Sequence, residues 1–153
     1  MNRAGIDLIK KFEGFRAEKY LCPGGKPTIG YGHVIRPGET FDGPITEDSA
    51  NTLLARDIAG KEGKVLALVH TVLTENQVSA LVSLAYNIGI AAFRDSTLLR
   101  LVNSHNMKSA ALEFERWNHV TVSGYKMSLP GLTARRVAER ELFAKEDVPK
   151  WPL

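Results

Sequence analysis

Between Phe15 and Ile45 the chain carries Pro23, Gly24, Gly25, Pro27, Gly30, Gly32, Pro37, Gly38, Gly43 and Pro44. Glycine opens positive φ, and proline removes a backbone donor, so no helix can run through this stretch. Short twisted strands fit between the breakers: "TIGYGHVI" suits small hairpins, with Asp42-Gly43 as a turn. From Thr46 onward the apolar spacing becomes helical. The chain is therefore expected to be α+β, with a small N-terminal lobe of short β-hairpins, a larger helical C-terminal lobe and a long helix joining them. A cleft between two such lobes is where a binding site is expected.

The helical spans follow from caps and periodicity. Residues 6–12 place Ile6, Leu8, Ile9 and Phe12 on one side and Asp7, Lys10 and Lys11 on the other, with Gly14 to stop the helix. Thr46 is set to cap a connecting helix over about 46–69, with Glu47 and Asp48 in its first turn. Thr74-Glu75-Asn76-Gln77 reads as a capping box that opens an apolar helix closed by Gly89. Further helices are expected near 97–104, near 107–117 and near 133–145. Phe114 and Trp117 are expected in the core.

A chain of 153 residues is one ordinary domain, which buries enough surface to need neither disulfide nor metal. We expect residues 1–153 to form that single domain, with a mixed lobe over about 12–60 and a helical lobe over about 61–153 that includes the N-terminal helix 1–11. The lone cysteine, Cys22, rules out an internal disulfide. No apolar run approaches the ~20 residues needed to span a bilayer. The start, "MNRAGIDLIKKFEGF", has no long apolar core of a signal peptide, so a soluble product without stable membrane insertion is expected. The net charge of +3 lies in the last third, where residues 94–153 carry 10 basic against 7 acidic side chains. That excess is too small, and too little interleaved with aromatics, to indicate a nucleic-acid partner. His70, His105 and His119 are scattered without metal-ligand spacing, so neither metal nor cofactor is expected.

Glu13 stands on an unexpected face. With Leu8 at zero on a helical wheel, Phe12 falls at about 40°, Ile9 at about 100° and Ile6 at about 160°. Glu13 falls at about 140°, inside that apolar arc. Apolar surroundings disfavour the charged carboxylate and keep a proton on it, as a general acid requires. A salt-bridged residue at a fraying helix end gives the same wheel. Glu141 passes the same test, between Val137 and Ala134, with no chemistry evident around it.

Glu13, eight intervening residues, Cys22, five more, and then Thr28 followed by "IGYGH" resembles the active-site signature of the T4-lysozyme-like phage endolysins. "LVSLAYNIGIAAFRDSTLLRLVN" is similar to that family's central helix and following turn, and "GLTARRVAERELF" to its closing helix. The resemblance covers nearly the whole chain. It implies a lysozyme-like fold and a muramidase that hydrolyses the β-1,4 bond between N-acetylmuramic acid and N-acetylglucosamine in peptidoglycan. It implies Glu13 as the acid, with Thr28 orienting a water together with Cys22 on the opposite face of the sugar. Arg135 or Arg136 resembles the family's supporting arginine, which reaches towards the glutamate. His33, Val34, Tyr86, Asn87 and Ser96 fall where the family contacts saccharide. His33 also fits a hydrogen-bonded residue fixing the hairpin, and Tyr86 a core position.

Most of the family has aspartate where this chain has Cys22. An ordinary thiol, with a pKa of ~8.5, is only a few per cent ionised at neutral pH. It therefore serves as a base only if oriented N–H groups or a cation depress that value. Base, nucleophile and spacer all remain open roles. The expected partner is the peptidoglycan glycan strand, met by a monomer. The expected route is storage in the host cytoplasm, release by a holin and action on the wall in the periplasm. Two other readings share these residues. One is a lytic transglycosylase leaving 1,6-anhydro ends, and the other is a catalytically weak wall-binding domain.

Overall fold

The computed structural model describes residues 1–146. The chain forms two compact units: Ile9–Gly60, and Met1–Leu8 with Lys61–Leu153. Helices α1 (Arg3–Glu13) and α2 (Glu47–Leu68) each begin in one unit and end in the other.

In the unit Ile9–Gly60, strands β1 (Arg16–Leu21), β2 (Pro27–Gly30) and β3 (His33–Val34) form one antiparallel sheet in that order. The register pairs Tyr20 with Thr28, Thr28 with Val34 and Ile29 with His33. The turn between β1 and β2 closes when Cys22 N–H donates to the Lys26 carbonyl at 3.0 Å and Gly25 N–H donates to the Cys22 carbonyl at 2.7 Å. Gly30 lets β2 lie against α2, since a side chain there would meet the Ala50 Cβ at 3.3 Å. Ile9, Ile29, Tyr31, Ala50, Leu54 and Ile58 are buried. No strand flanks Asp42-Gly43, contrary to the expected turn. The residue after it is Pro44, which has no N–H to give a ladder, and residues 35–46 run as irregular backbone.

The other unit is built on α3 (Glu75–Ile88). Its residues 79–85 are buried without interruption, so the helix has no solvent face there. Its start is a complete capping box: the Thr74 hydroxyl accepts from Gln77 N–H, and the Gln77 side chain accepts from Thr74 N–H. Gly89 N–H bonds the Ala85 carbonyl and ends the helix. The start of α1 comes close to α3, since a Cβ on Gly5 would sit 2.7 Å from that of Ser79. Short helices α4 (Ile90–Arg94), α5 (Thr97–Asn103) and α6 (Met107–Glu113) follow, then a 3₁₀ turn (Phe114–Trp117) and α7 (Pro130–Ala144). The span near 107–117 thus divides into α6 and a 3₁₀ turn. Phe114 is buried, whereas Trp117 is only half-buried.

Between that turn and α7 lies an unanticipated two-stranded ribbon, β4 (His119–Val122) and β5 (Tyr125–Ser128). It turns at Ser123 and Gly124, both at positive φ. Its apolar pairs, Val120 with Met127 and Val122 with Tyr125, share one face. In α7 the wheel misplaces one acid: Glu141 is exposed, and Glu139 is the carboxylate with no exposed surface.

Removing the Thr74 hydroxyl leaves the Gln77 N–H of α3 unpaired. Thr74→Ala should therefore cost about 1 kcal/mol, roughly 2–4 °C in a thermal melt. An unchanged melting temperature would show that the box contributes nothing.

Candidate active site

Glu13 is the last residue of α1, and Gly14 at φ +71° turns the chain away while its N–H bonds the Lys10 carbonyl. The Glu13 carboxylate lies directly over Gly32: a Cβ there would sit 2.9 Å from Oε2 and 3.3 Å from Cδ. Gly32 is at φ +80°, a conformation that favours glycine, and a side chain there would have to displace the Glu13 carboxylate.

The residues on either side of Gly32 are fixed. Tyr31 is buried and its phenol donates to Glu47 at 2.8 Å. Burial and that carboxylate push its pKa up to about 12, so it stays a neutral donor. His33 is buried, with Nδ1 2.7 Å from Asp57 and Nε2 2.9 Å from Glu39. Glu39 also accepts from Arg36 N–H at 2.8 Å, and this bond, followed by the one to His33, holds its carboxyl below the usual range. Both ring nitrogens of His33 are thus engaged by carboxylates, which suits a residue fixing the hairpin. Val34, next along β3, is exposed.

Cys22 is half-buried at the end of β1. The Lys26 amide is the largest influence on its thiol and draws the pKa down. Desolvation opposes it as the next largest influence, and the Gly24 amide, the Thr28 hydroxyl and the Lys26 charge act with the Lys26 amide to keep the net shift downward. Amides in a tight turn thus do what a neighbouring cation does at other reactive thiols. Thr28 is buried, and its hydroxyl donates to the Lys26 carbonyl at 2.9 Å. Tyr20 joins the group: burial and then the Glu13 charge raise its pKa, with Cys22 adding to the effect. It pairs with Thr28 across the β1–β2 ladder and so shares its face, a register that the sequence alone did not fix.

The remaining expected residues belong to the other unit. Tyr86 is half-buried and Asn87 exposed at the end of α3. Ser96 is the buried N-cap of α5, accepting from Leu99 N–H at 3.1 Å and donating to the Phe93 carbonyl at 2.6 Å. It also borders a groove of about 330 Å³ with Thr97, Glu113, Trp117 and Lys126. Arg135 and Arg136 are buried in α7 against Glu139, which sequence reasoning passed over. Among the described residues no group of three or more His, Cys, Asp or Glu is placed to hold a metal ion.

The turn amides give a direct expectation. Alkylation of Cys22 by iodoacetamide, followed against pH, should reach half its limiting rate below the ~8.5 of an ordinary thiol. A midpoint at or above that value would mean the amides do not stabilise the thiolate.

Residues 10–139 match the family model described as phage lysozyme. The endolysin of Acyrthosiphon pisum secondary endosymbiont phage 1 is 39% identical over 145 residues, covering 94% of this chain and 97% of that protein. Among solved structures, the muramidase domain of SpmX from Asticaccaulis excentricus superposes with a TM-score of 0.87 at 39% identity, covering 95% of this chain and 97% of that one. An endolysin from Escherichia coli O157:H7 phage FAHEc1 gives 0.86 at 37% identity, covering 97% and 96%. A glutamate seated over a positive-φ glycine, followed by a turn-bound cysteine and a buried threonine, therefore sits within a lysozyme-like α+β fold. The chain belongs to the phage lysozyme family.

Proposed function

We propose that this chain hydrolyses the β-1,4 bond between N-acetylmuramic acid and N-acetylglucosamine in bacterial peptidoglycan, with Glu13 as general acid, and so lyses a phage host. The observation that carries this reading is the phage lysozyme match over residues 10–139, a span that contains Glu13, Cys22 and Thr28. Glu13 hands its proton to the glycosidic oxygen as the anomeric centre gains oxocarbenium character. Thr28 holds the attacking water: its hydrogen lies between the Lys26 carbonyl and the Cys22 thiol, and its oxygen lone pairs accept from that water. Cys22, as thiolate, takes the water's proton. Val34, Tyr86, Asn87 and Ser96 contact saccharide, His33 fixes the turn that carries Val34, and Arg135 and Arg136 are supporting residues.

Among the described residues no helix is long and apolar enough to cross a membrane. Release to the wall by a holin, and action as a monomer, are part of the proposal.

Glu13→Gln should cut lysis of outer-membrane-stripped cells by roughly 10³-fold or more without lowering the melting temperature, since general acid catalysis supplies about 10²–10⁴. Near-normal lysis would remove the assignment. Mass spectrometry of the digest should give reducing ends, and 1,6-anhydro ends would mean transglycosylation instead.

Gly32→Ala should cost about 1 kcal/mol of stability for positive φ. Its new methyl displaces the Glu13 carboxylate, so lysis should fall by about tenfold or more; a loss no larger than the stability change explains would mean the carboxylate's place is not critical.

The pH profile tests Cys22. Because the base must be ionised, activity should rise with pH through the lowered thiol pKa. Cys22→Asp should carry that rise down to the carboxylate range of about 4. Cys22→Ala should lose much of the activity, and identical profiles in all three proteins would make the cysteine a spacer.

A further inference from the structure

Glu139 has no exposed surface, and nothing in the proposed reaction uses it. Its Oε1 accepts from Arg135 Nε at 3.1 Å and from the Ser83 hydroxyl at 2.7 Å, and its Oε2 accepts from Arg136 Nη1 at 2.9 Å. Arg135 Nη2 also donates to the Ser83 carbonyl at 3.2 Å. Burial pushes the carboxyl pKa up, while Arg136, Arg135 and the Ser83 hydroxyl pull it down. Guanidinium groups only donate, so both require an accepting, ionised oxygen on Glu139.

The network reaches the surface at Asn87. Arg136 Nη2 donates to Oδ1 of Asn87, which is exposed. That contact fixes the amide's orientation, since an NH₂ turned towards a guanidinium would set donor against donor. Asn87 therefore keeps its oxygen inward on Arg136 and presents Nδ2 outward. The Arg136 guanidinium on its oxygen polarises the amide and makes Nδ2 a stronger donor to an acceptor in front of it.

We propose that Glu139 is a positioning residue: through Arg136 it locks Asn87 so that its Nδ2 donates to an acceptor oxygen of the glycan, such as an acetamido carbonyl. This rests on the reading of Asn87 as a saccharide contact. A buried carboxylate serving packing alone would give no reason for Asn87 polarity to matter.

The test measures initial lysis rate against the concentration of outer-membrane-stripped cells, which separates apparent KM from kcat. Asn87→Asp keeps the shape and the Arg136 contact but replaces the donor with an acceptor. It should raise apparent KM about fivefold or more, as Asn87→Ala should, with kcat within about twofold and an undiminished melting temperature. Glu139→Gln should raise KM similarly in the natural background and add nothing in the Asn87→Ala background. Glu139→Gln removes the carboxylate charge from beside two buried guanidiniums; if it does not fold, Ser83→Ala replaces it in the same cycle. A KM for Asn87→Asp equal to that of the natural protein overturns the proposal, as does a KM effect at Glu139 or Ser83 that persists undiminished without Asn87. Failure of the Glu13→Gln test removes the acid but leaves these KM shifts standing. Failure here beside an inactive Glu13→Gln removes only the role of Asn87 and Glu139.

Discussion

A single carboxylate without solvent, held between two guanidiniums, ties α7 to α3. Removing a charge from such a cluster costs more than making the cluster contributes, because the partners are left desolvated and uncompensated. The cluster therefore specifies one arrangement of the two helices. A one-residue rotation of α7 would carry the Arg135–Glu139 and Arg136–Glu139 pairs with it but break the hydrogen bonds from the Ser83 hydroxyl to Glu139 and from Arg135 to the Ser83 carbonyl. Apolar packing between the helices tolerates small slips far better, so these inter-helix hydrogen bonds fix the register of α7 on α3.

The other unit solves a related problem with different materials. Glu13 needs a neighbour with no side chain, and Gly32 supplies the space. Gly32 in turn needs a rigid backbone, which Tyr31 supplies through Glu47 and His33 through Asp57 and Glu39. Cys22 and Thr28 meet at a turn whose amides and carbonyls are already counted into its hydrogen bonds. The surroundings of these side chains are thus set by backbone geometry more than by neighbouring charges. The thiol, with a weaker intrinsic acidity than a carboxyl, is drawn towards its ionised form by the amides of its own turn.

Features encoded locally were legible in the sequence. The capping box at Thr74, the long run of α2 and the glycine-rich span holding β1 to β3 depend on residues three or four apart, or on φ preferences of single residues. Glu13, Cys22 and Thr28 were legible as a spacing, though the support of Gly32 was not. The ribbon β4–β5 was missed although its signal was present: "HVTV" and "YKMS" flank a two-residue Ser-Gly turn. The rule that found a turn at Asp42-Gly43 overlooked Pro44 beside it. Glu139 was unreadable for another reason. Its hydroxyl partner lies 56 residues away on α3, and helical periodicity tells which face is apolar, not which polar group will be met there.

The unbroken burial of residues 79–85 also governs how this unit comes apart. A helix with water on one side can fray and reclose by itself, but one enclosed on every side is released only when its surroundings give way together. The amide hydrogens of that segment are therefore the slowest in the unit to trade with solvent deuterium, and their rate reports the opening of the whole assembly of helices around them.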